Sequence, residues 1–198
     1  MCIRDRIRID SYGPCFPPPT HRRRRLASNP ACADPDSLKR IPPPCPPVLG
    51  PAETRRRYDQ TASHYDARYT ELQTSKYPIL FDLLALSPGQ RILDWGCGTC
   101  LALDPIAKSG AAYTGVDFSL GMLSARIRGP KCRVVLGDCA RLPFRSDSFD
   151  GVLGATVIQN ISRRRAALSE VSRVLRKGGR VALSFPRKSK VSIRGLAT

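Results

Sequence analysis

No stretch of these 198 residues holds the roughly 18 consecutive apolar positions that a membrane helix needs, so we expect a soluble, cytoplasmic protein with no membrane contact. No signal peptide precedes the eight cysteines, which argues against a secreted disulfide framework. Histidine is nearly absent: beyond the first 50 residues only His64 remains. The one glycine-rich loop, in RILDWGCGTC (91–100), is incomplete as a dinucleotide fingerprint. G-x-G-x-x-G needs a small residue where Leu101 stands, and G-x-G-x-G needs glycine where Cys100 stands. A zinc site is also unexpected, because Cys97-x-x-Cys100 has no second close pair; Cys132 and Cys139 flank a predicted strand. All four of these cysteines read as small buried or loop residues, and no metal is expected.

Proline is scarce only in the second part. Twelve of the 18 prolines lie in the first 51 residues, beside HRRRR and with almost no apolar periodicity. Such a segment cannot bury enough surface to offset its chain entropy, so residues 1–50 are expected to be a disordered Pro/Arg-rich tail. Its opening MCIRDR resembles a hexapeptide common at the ends of translated environmental sequences, where it looks like adapter read-through; part of the tail is therefore expected to be artefactual. The net charge of +17 is spread over both parts, +7 in residues 1–57 and +10 in 58–198. A basic folded part keeps RNA open as a partner, although no aromatic-interleaved basic motif accompanies it.

From residue 51 onward the pattern is regular. Residues 53–85 read as helical, and SPGQ (87–90) ends them. RILDW, AYTGVD, RVVLGD, DGVLGA and RVALSF then read as five strands with helical pieces between them. In the first crossover Asp104-Pro105 predicts a late helix start, with Asp104 as cap. In RRRAALSEVSRVLRKGG, Leu168, Val171 and Leu175 share a helix face that Gly178 and Gly179 should end. Strand–helix–strand repetition predicts an α/β, Rossmann-like, doubly wound and mainly parallel sheet.

In such a sheet the ligand lies outside the carboxyl ends of the strands. Those ends carry Asp94 with Gly96 and Gly98, then Asp117-Phe118, then Asp138-Cys139. Asp117 is placed to take both hydroxyls of a ribose, and Asp138 to accept from an adenine amino group. Asp94 can meet an ammonium but would repel a pyrophosphate. An adenosine with a zwitterionic amino-acid tail satisfies all three acids, which points to S-adenosyl-L-methionine.

LDWGCGTC, GVDFSLGML, GDCARLPFRSDSFD and RVLRKGG occur in that order. In these motifs residues 58 to about 187 resemble the class I S-adenosylmethionine-dependent methyltransferases. The resemblance implies cofactor contacts from Gly96, Cys97 and Gly98 around the methionine moiety and from Asp117 to the ribose. It further implies Phe118 beside the adenine, Asp138 and the Cys139 backbone on its edge, and Tyr58 and Tyr65 of YDQTASHYD as a helical lid. Two departures stand out: Cys100 replaces the usual third glycine, and the chain stops 13 residues after Phe185, where the family sheet continues with two further strands. The domain over 51–198 is therefore expected to be C-terminally incomplete, leaving RVALSF as a bare apolar edge.

Each aspartate could singly be a turn former or helix cap, and Tyr58 and Tyr65 ordinary core. Arg163, Arg164 and Arg165 read as a solvated face whose misfit with the helix dipole weakly favours an anionic partner. Should the acceptor carry a proton, His64 is the candidate base. Gln159 and Asn160, after the fourth strand, are placed to touch an acceptor. No D/N-P-P-aromatic motif or Pro-Cys pair marks a nucleobase substrate, so a small molecule is the first reading. A tRNA- or RNA-directed enzyme is the second, then an NAD-dependent oxidoreductase or a non-catalytic RNA-binding relic; oligomeric state stays open.

Overall fold

The computed structural model describes residues 7–12, 50–126 and 132–186, the first of these as backbone only. Strands β1 (Ile7–Tyr12), β2 (Arg91–Trp95), β3 (Ala112–Asp117), β4 (Arg133–Leu136), β5 (Phe149–Ala155) and β6 (Leu175–Pro186) form one sheet in the order β1-β6-β5-β2-β3-β4. Every pairing in it is parallel. A parallel sheet is covered on both faces, hence the unbroken apolar runs of its central strands. Ile92, Leu93 and Trp95 of β2 are fully buried, each side chain contributing about 1.5–3 kcal/mol.

Two cores result. One joins Ile92 and Leu153 to Leu80 and Leu84 of helix α2 (Tyr77–Leu84) and Ile106 of α3 (Leu103–Lys108). The other joins Leu93, Trp95 and Val152 to Ala167, Val171 and Val174 of α5 (Arg164–Val174). Strand order turns back at β2: the chain steps outward through β3 and β4, then returns to lay β5 on the other side of β2. That reversal opens a crevice beyond the strands' carboxyl ends.

Helix α1 (Pro51–Thr74) is not packed on a sheet face. Only Thr54, Ala62 and Gln73 of it are buried. It lies instead against α4 (Leu120–Ala125), where Asp59 accepts from Ser119 Oγ at 2.6 Å and from the Gly121 amide at 2.9 Å. These two bonds hold the Asp59 carboxyl below the usual carboxylate range.

Several expectations are corrected. The helix expected over 53–85 is two helices broken at Ser75–Lys76. Helix α3 starts at Leu103 with Ala102 as its cap, so Asp104 lies inside the first turn and caps nothing. Helix α5 ends at Val174: Leu175 already pairs with Phe149, and Gly178, at φ +84°, serves a register irregularity between β5 and β6. A side chain at Gly179 would strike Leu175 and the Asp150 carbonyl, which explains the glycine there. The bare edge on RVALSF is covered, because β1 runs beside β6 from Ile7 opposite Val181 to Tyr12 opposite Pro186. Residues 7–12 thus form a strand where disorder was expected; the expectation for 1–6 and 13–49 lies outside the described residues.

Candidate active site

The crevice holds a cavity of about 480 Å³, within the usual range for small-molecule sites. Its floor is the loop after β2. Gly96 (φ +75°) and Gly98 (φ +54°) take left-handed conformations, and a Cβ on Gly96 would come within 2.6 Å of Val157 while one on Gly98 would meet Met122 at 2.9 Å. Cys100 adopts φ +66°, so a non-glycine residue makes the turn where the family's third glycine was expected.

Asp117 ends β3 against this loop. Its carboxylate accepts from the Gly98 amide on one oxygen and from the Ser119 amide on the other, both at 2.9 Å. Burial pushes its pKa up, while the amide bonds oppose the rise. The carboxylate is therefore held in one orientation at the cavity wall. Ser119 also caps α4 through its hydroxyl, which accepts from the Met122 amide.

Along the rim, Asp138 accepts from the Ala140 amide at 2.7 Å and pairs with Arg163 at 3.3 Å. The Cys139 carbonyl accepts from Trp95 Nε1 at 3.1 Å, which fastens this segment to the core. Helix α1 forms the roof. Tyr58 and Tyr65, seven residues apart, fall on one helix face with their rings 6.3 Å apart, and Tyr58 lies 6.4 Å from Phe118. Asn160 Nδ2 donates to the Tyr58 hydroxyl at 2.9 Å, and Gln73 Nε2 to that of Tyr65 at 3.2 Å. Both hydroxyls accept in these bonds, and burial raises both phenol pKa values, so each keeps its own proton.

The structure thus brings Tyr58, Tyr65, Gly96, Gly98, Asp117, Phe118, Asp138, Cys139 and Asn160 to one cavity. Four predicted residues do not reach its wall. Asp94 is fully buried behind the loop, accepts from the Tyr113 hydroxyl at 2.8 Å, and is pushed by burial to a pKa of about 8. Cys97 turns its thiol under Gly115, away from the cavity. Gln159 folds back to donate to the Thr156 carbonyl. His64 sits on the outer, exposed side of α1, bonded to Ser63 Oγ at 2.8 Å. Nor are the arginines a merely solvated face: Arg163 pairs with Asp138, and Arg164 donates to the Ile158 and Gln159 carbonyls.

Sequence reasoning missed two features. Asp66, one turn-pair after Asp59, accepts from Thr99 Oγ1 at 2.5 Å and fastens the roof to the glycine loop. The repeated Tyr-Asp of YDQTASHYD was the available signal. Thr156, at the end of β5, lines the cavity at φ +60°, a rare conformation for a β-branched residue. Its hydroxyl accepts from buried Lys76 at 3.1 Å and donates to Gln73 at 2.9 Å. No sequence signal marked this network, since Thr156 lies 80 residues from Lys76 and 83 from Gln73.

A doubly wound sheet with a glycine loop, an acid at the end of the next strand and a second acid on the rim is the Rossmann-like architecture of class I methyltransferases. Residues 93–183 match the family described as "Methyltransferase domain". The chain is 36% identical over 135 residues to a demethylmenaquinone methyltransferase of Mycobacterium bovis, covering 66% of this chain and 57% of that protein. It therefore spans less than two thirds of such relatives' length. A Methanococcus maripaludis protein described as a "putative s-adenosyl-l-methionine-dependent methyltransferase" superposes with a TM-score of 0.57 at 19% identity, over 64% of this chain and 63% of that one, and shows the same fold. Haemonchus contortus phosphoethanolamine N-methyltransferase 2, solved in complex with S-adenosyl-L-methionine, matches with a TM-score of 0.51 at 28% identity, over 55% of this chain and 27% of that one.

Proposed function

We propose that the cavity binds S-adenosyl-L-methionine and that the protein transfers its methyl group to a small-molecule acceptor. The observation that carries this reading is the oriented Asp117 carboxylate sharing one cavity with the Gly96–Gly98 cradle and the Asp138 rim. Glycines that no side chain can replace leave room for a ligand to approach the backbone closely, and Asp117 and Asp138 supply acceptors for hydroxyl and amino hydrogens. Bound there, the cofactor supplies a sulfonium-borne methyl group to a nucleophilic atom. The chain's own part is positioning: Asp117 and Asp138 fix the adenosine half, and the Tyr58 and Tyr65 donors under α1 orient the reacting half while the roof limits water.

For the acceptor we take an oxygen-substituted aromatic ring of the quinone type, following the name of the demethylmenaquinone methyltransferase relatives. The cavity wall beyond Gly96, built from Ala155, Val157 and Ile161 with Asn160 and Thr156 as polar points, supports an apolar ring with oxygen substituents. Calorimetry with S-adenosylhomocysteine and NADH tests the cofactor. Micromolar binding of the first and none of the second is expected, and the reverse order overturns it. Incorporation of labelled methyl into a demethylated naphthoquinol, with total tRNA as the competing substrate, tests the acceptor class; transfer to tRNA alone overturns it.

A further inference from the structure

Beneath the glycine loop lies a group of thiols that cofactor binding leaves unused. Cys97 and Cys100 from the loop and Cys132, just before β4, pack into one cluster with Tyr113. Cys100 is its centre: its thiol interacts with those of Cys97 and Cys132 and with Tyr113, and its Sγ lies 4.0 Å from the Gly98 carbonyl. Cys97 and Cys100 are buried, whereas Cys132 is half-exposed; burial and the neighbouring Cys100 push its thiol up, and Arg126 opposes that rise. The fourth described thiol, Cys139, belongs to the core on the other side of the sheet.

The group combines the two properties a reactive pair needs. A thiol open to solvent admits an oxidant, and a second thiol in contact with it can resolve the product before further oxidation. The hydrogen bond from Cys97, with help from Tyr113, Cys132 and the Arg126 charge, brings the Cys100 thiol down to about 7, so a substantial fraction is thiolate at neutral pH. Cys97 is held well above the usual thiol range by its bond to Cys100 and by burial, and serves as a donor to Cys100.

We propose that Cys100 and Cys132 form a reversible oxidation site at which a hydroperoxide converts the two thiols to a disulfide. The Cys132 sulfur attacks the O–O bond of the peroxide, which breaks; one oxygen leaves as water and the sulfur becomes a sulfenic acid. The Cys100 sulfur then attacks that sulfur, the S–O bond breaks, and the departing oxygen leaves as a second water with the remaining proton. Two thiols have lost two electrons, and one hydrogen peroxide has become two waters. The bond draws the Cys100 sulfur away from Cys97 and Tyr113 and ties the glycine loop to the start of β4. Because the loop's Gly98 amide orients Asp117, and Tyr113 is the partner of Asp94, the change reaches the cavity floor.

The test treats the full chain with hydrogen peroxide, blocks free thiols, and maps disulfides by mass spectrometry. A Cys100–Cys132 cross-link that dithiothreitol reverses is expected, lost in Cys132→Ser and retained in Cys97→Ser. A Cys97–Cys100 disulfide, or Cys132 oxidised to the sulfinic acid without a cross-link, overturns the site. In parallel, affinity for S-adenosylhomocysteine should fall fivefold or more on oxidation, recover on reduction, and stay unchanged in peroxide-treated Cys132→Ser. An unchanged affinity in cross-linked wild type overturns the coupling to the cavity. This coupling rests on the cofactor reading, but the cross-link does not: if reduced protein fails to bind S-adenosylhomocysteine, the cofactor assignment falls and the mapping still decides the oxidation site.

Discussion

Replacing Asp117 is the most informative perturbation, because this one side chain joins the glycine loop, the start of α4 and the cavity wall. In Asp117→Ala the Gly98 and Ser119 amides lose their acceptors. Each buried donor left unsatisfied costs about 1–3 kcal/mol, offset in part by water entering the cavity and by removal of a buried carboxyl, so a net loss of about 2 kcal/mol is expected. Affinity for S-adenosylhomocysteine should drop about tenfold to a hundredfold, as a charge-assisted bond pair worth roughly 1.5–3 kcal/mol disappears. Asp117→Asn separates the two effects. Its single carbonyl oxygen can satisfy one amide while its NH2 faces the other, so stability suffers less than in the alanine variant but affinity still falls at least tenfold. Calorimetry beside urea unfolding reads both quantities. A folded Asp117→Asn protein that binds S-adenosylhomocysteine within twofold of wild type would refute the assignment.

Other perturbations have equally definite outcomes. Asp94 holds a proton up to about pH 8 in the folded state but releases it near 3.9 when unfolded, so stability should decline as pH rises from 4 to 8. Asp94→Asn should flatten that decline in urea titrations at pH 5 and pH 8, and an unaltered slope would contradict the burial reasoning. Gly96→Ala should lower both melting temperature and ligand affinity, since its φ of +75° costs about 1–2 kcal/mol and the new methyl strikes Val157. Adding Val157→Ala should restore only the part due to the clash; full recovery would show that the backbone conformation does not matter. His64→Ala should leave S-adenosylhomocysteine affinity and turnover within twofold of wild type, because the ring lies outside the cavity. A loss of turnover alone would reinstate it as a base.

Much of the fold was legible because local patterns carried it. Five strands were found from short apolar runs ending at acids or glycines, and the sheet's parallel order from their alternation with helices. Asp117 and Asp138 were found because topology alone places strand ends at one crevice. The errors fell where a long-range contact decides. Leu175 continues a good helical pattern, yet pairing with Phe149 ends the helix one residue earlier. Asp94 looked like a cavity acid, but Tyr113, on the neighbouring strand, claims its carboxylate. Gln159 and Asn160 are adjacent and chemically alike, and only the turn at Ile158–Asn160 decides that one folds back while the other reaches Tyr58.

Residue order by itself determined five of the six described strands, their parallel sheet and the strand ends that carry the acids, because apolar periodicity, glycine and proline act within a few residues. Tertiary structure alone decided which of those acids face the cavity and how α1 roofs it. It also decided that Lys76, Gln73 and Thr156 meet and that three cysteines share one cluster. These outcomes depend on contacts between residues tens of positions apart, where burial and hydrogen-bond partners are set by packing and leave no periodic trace in the chain.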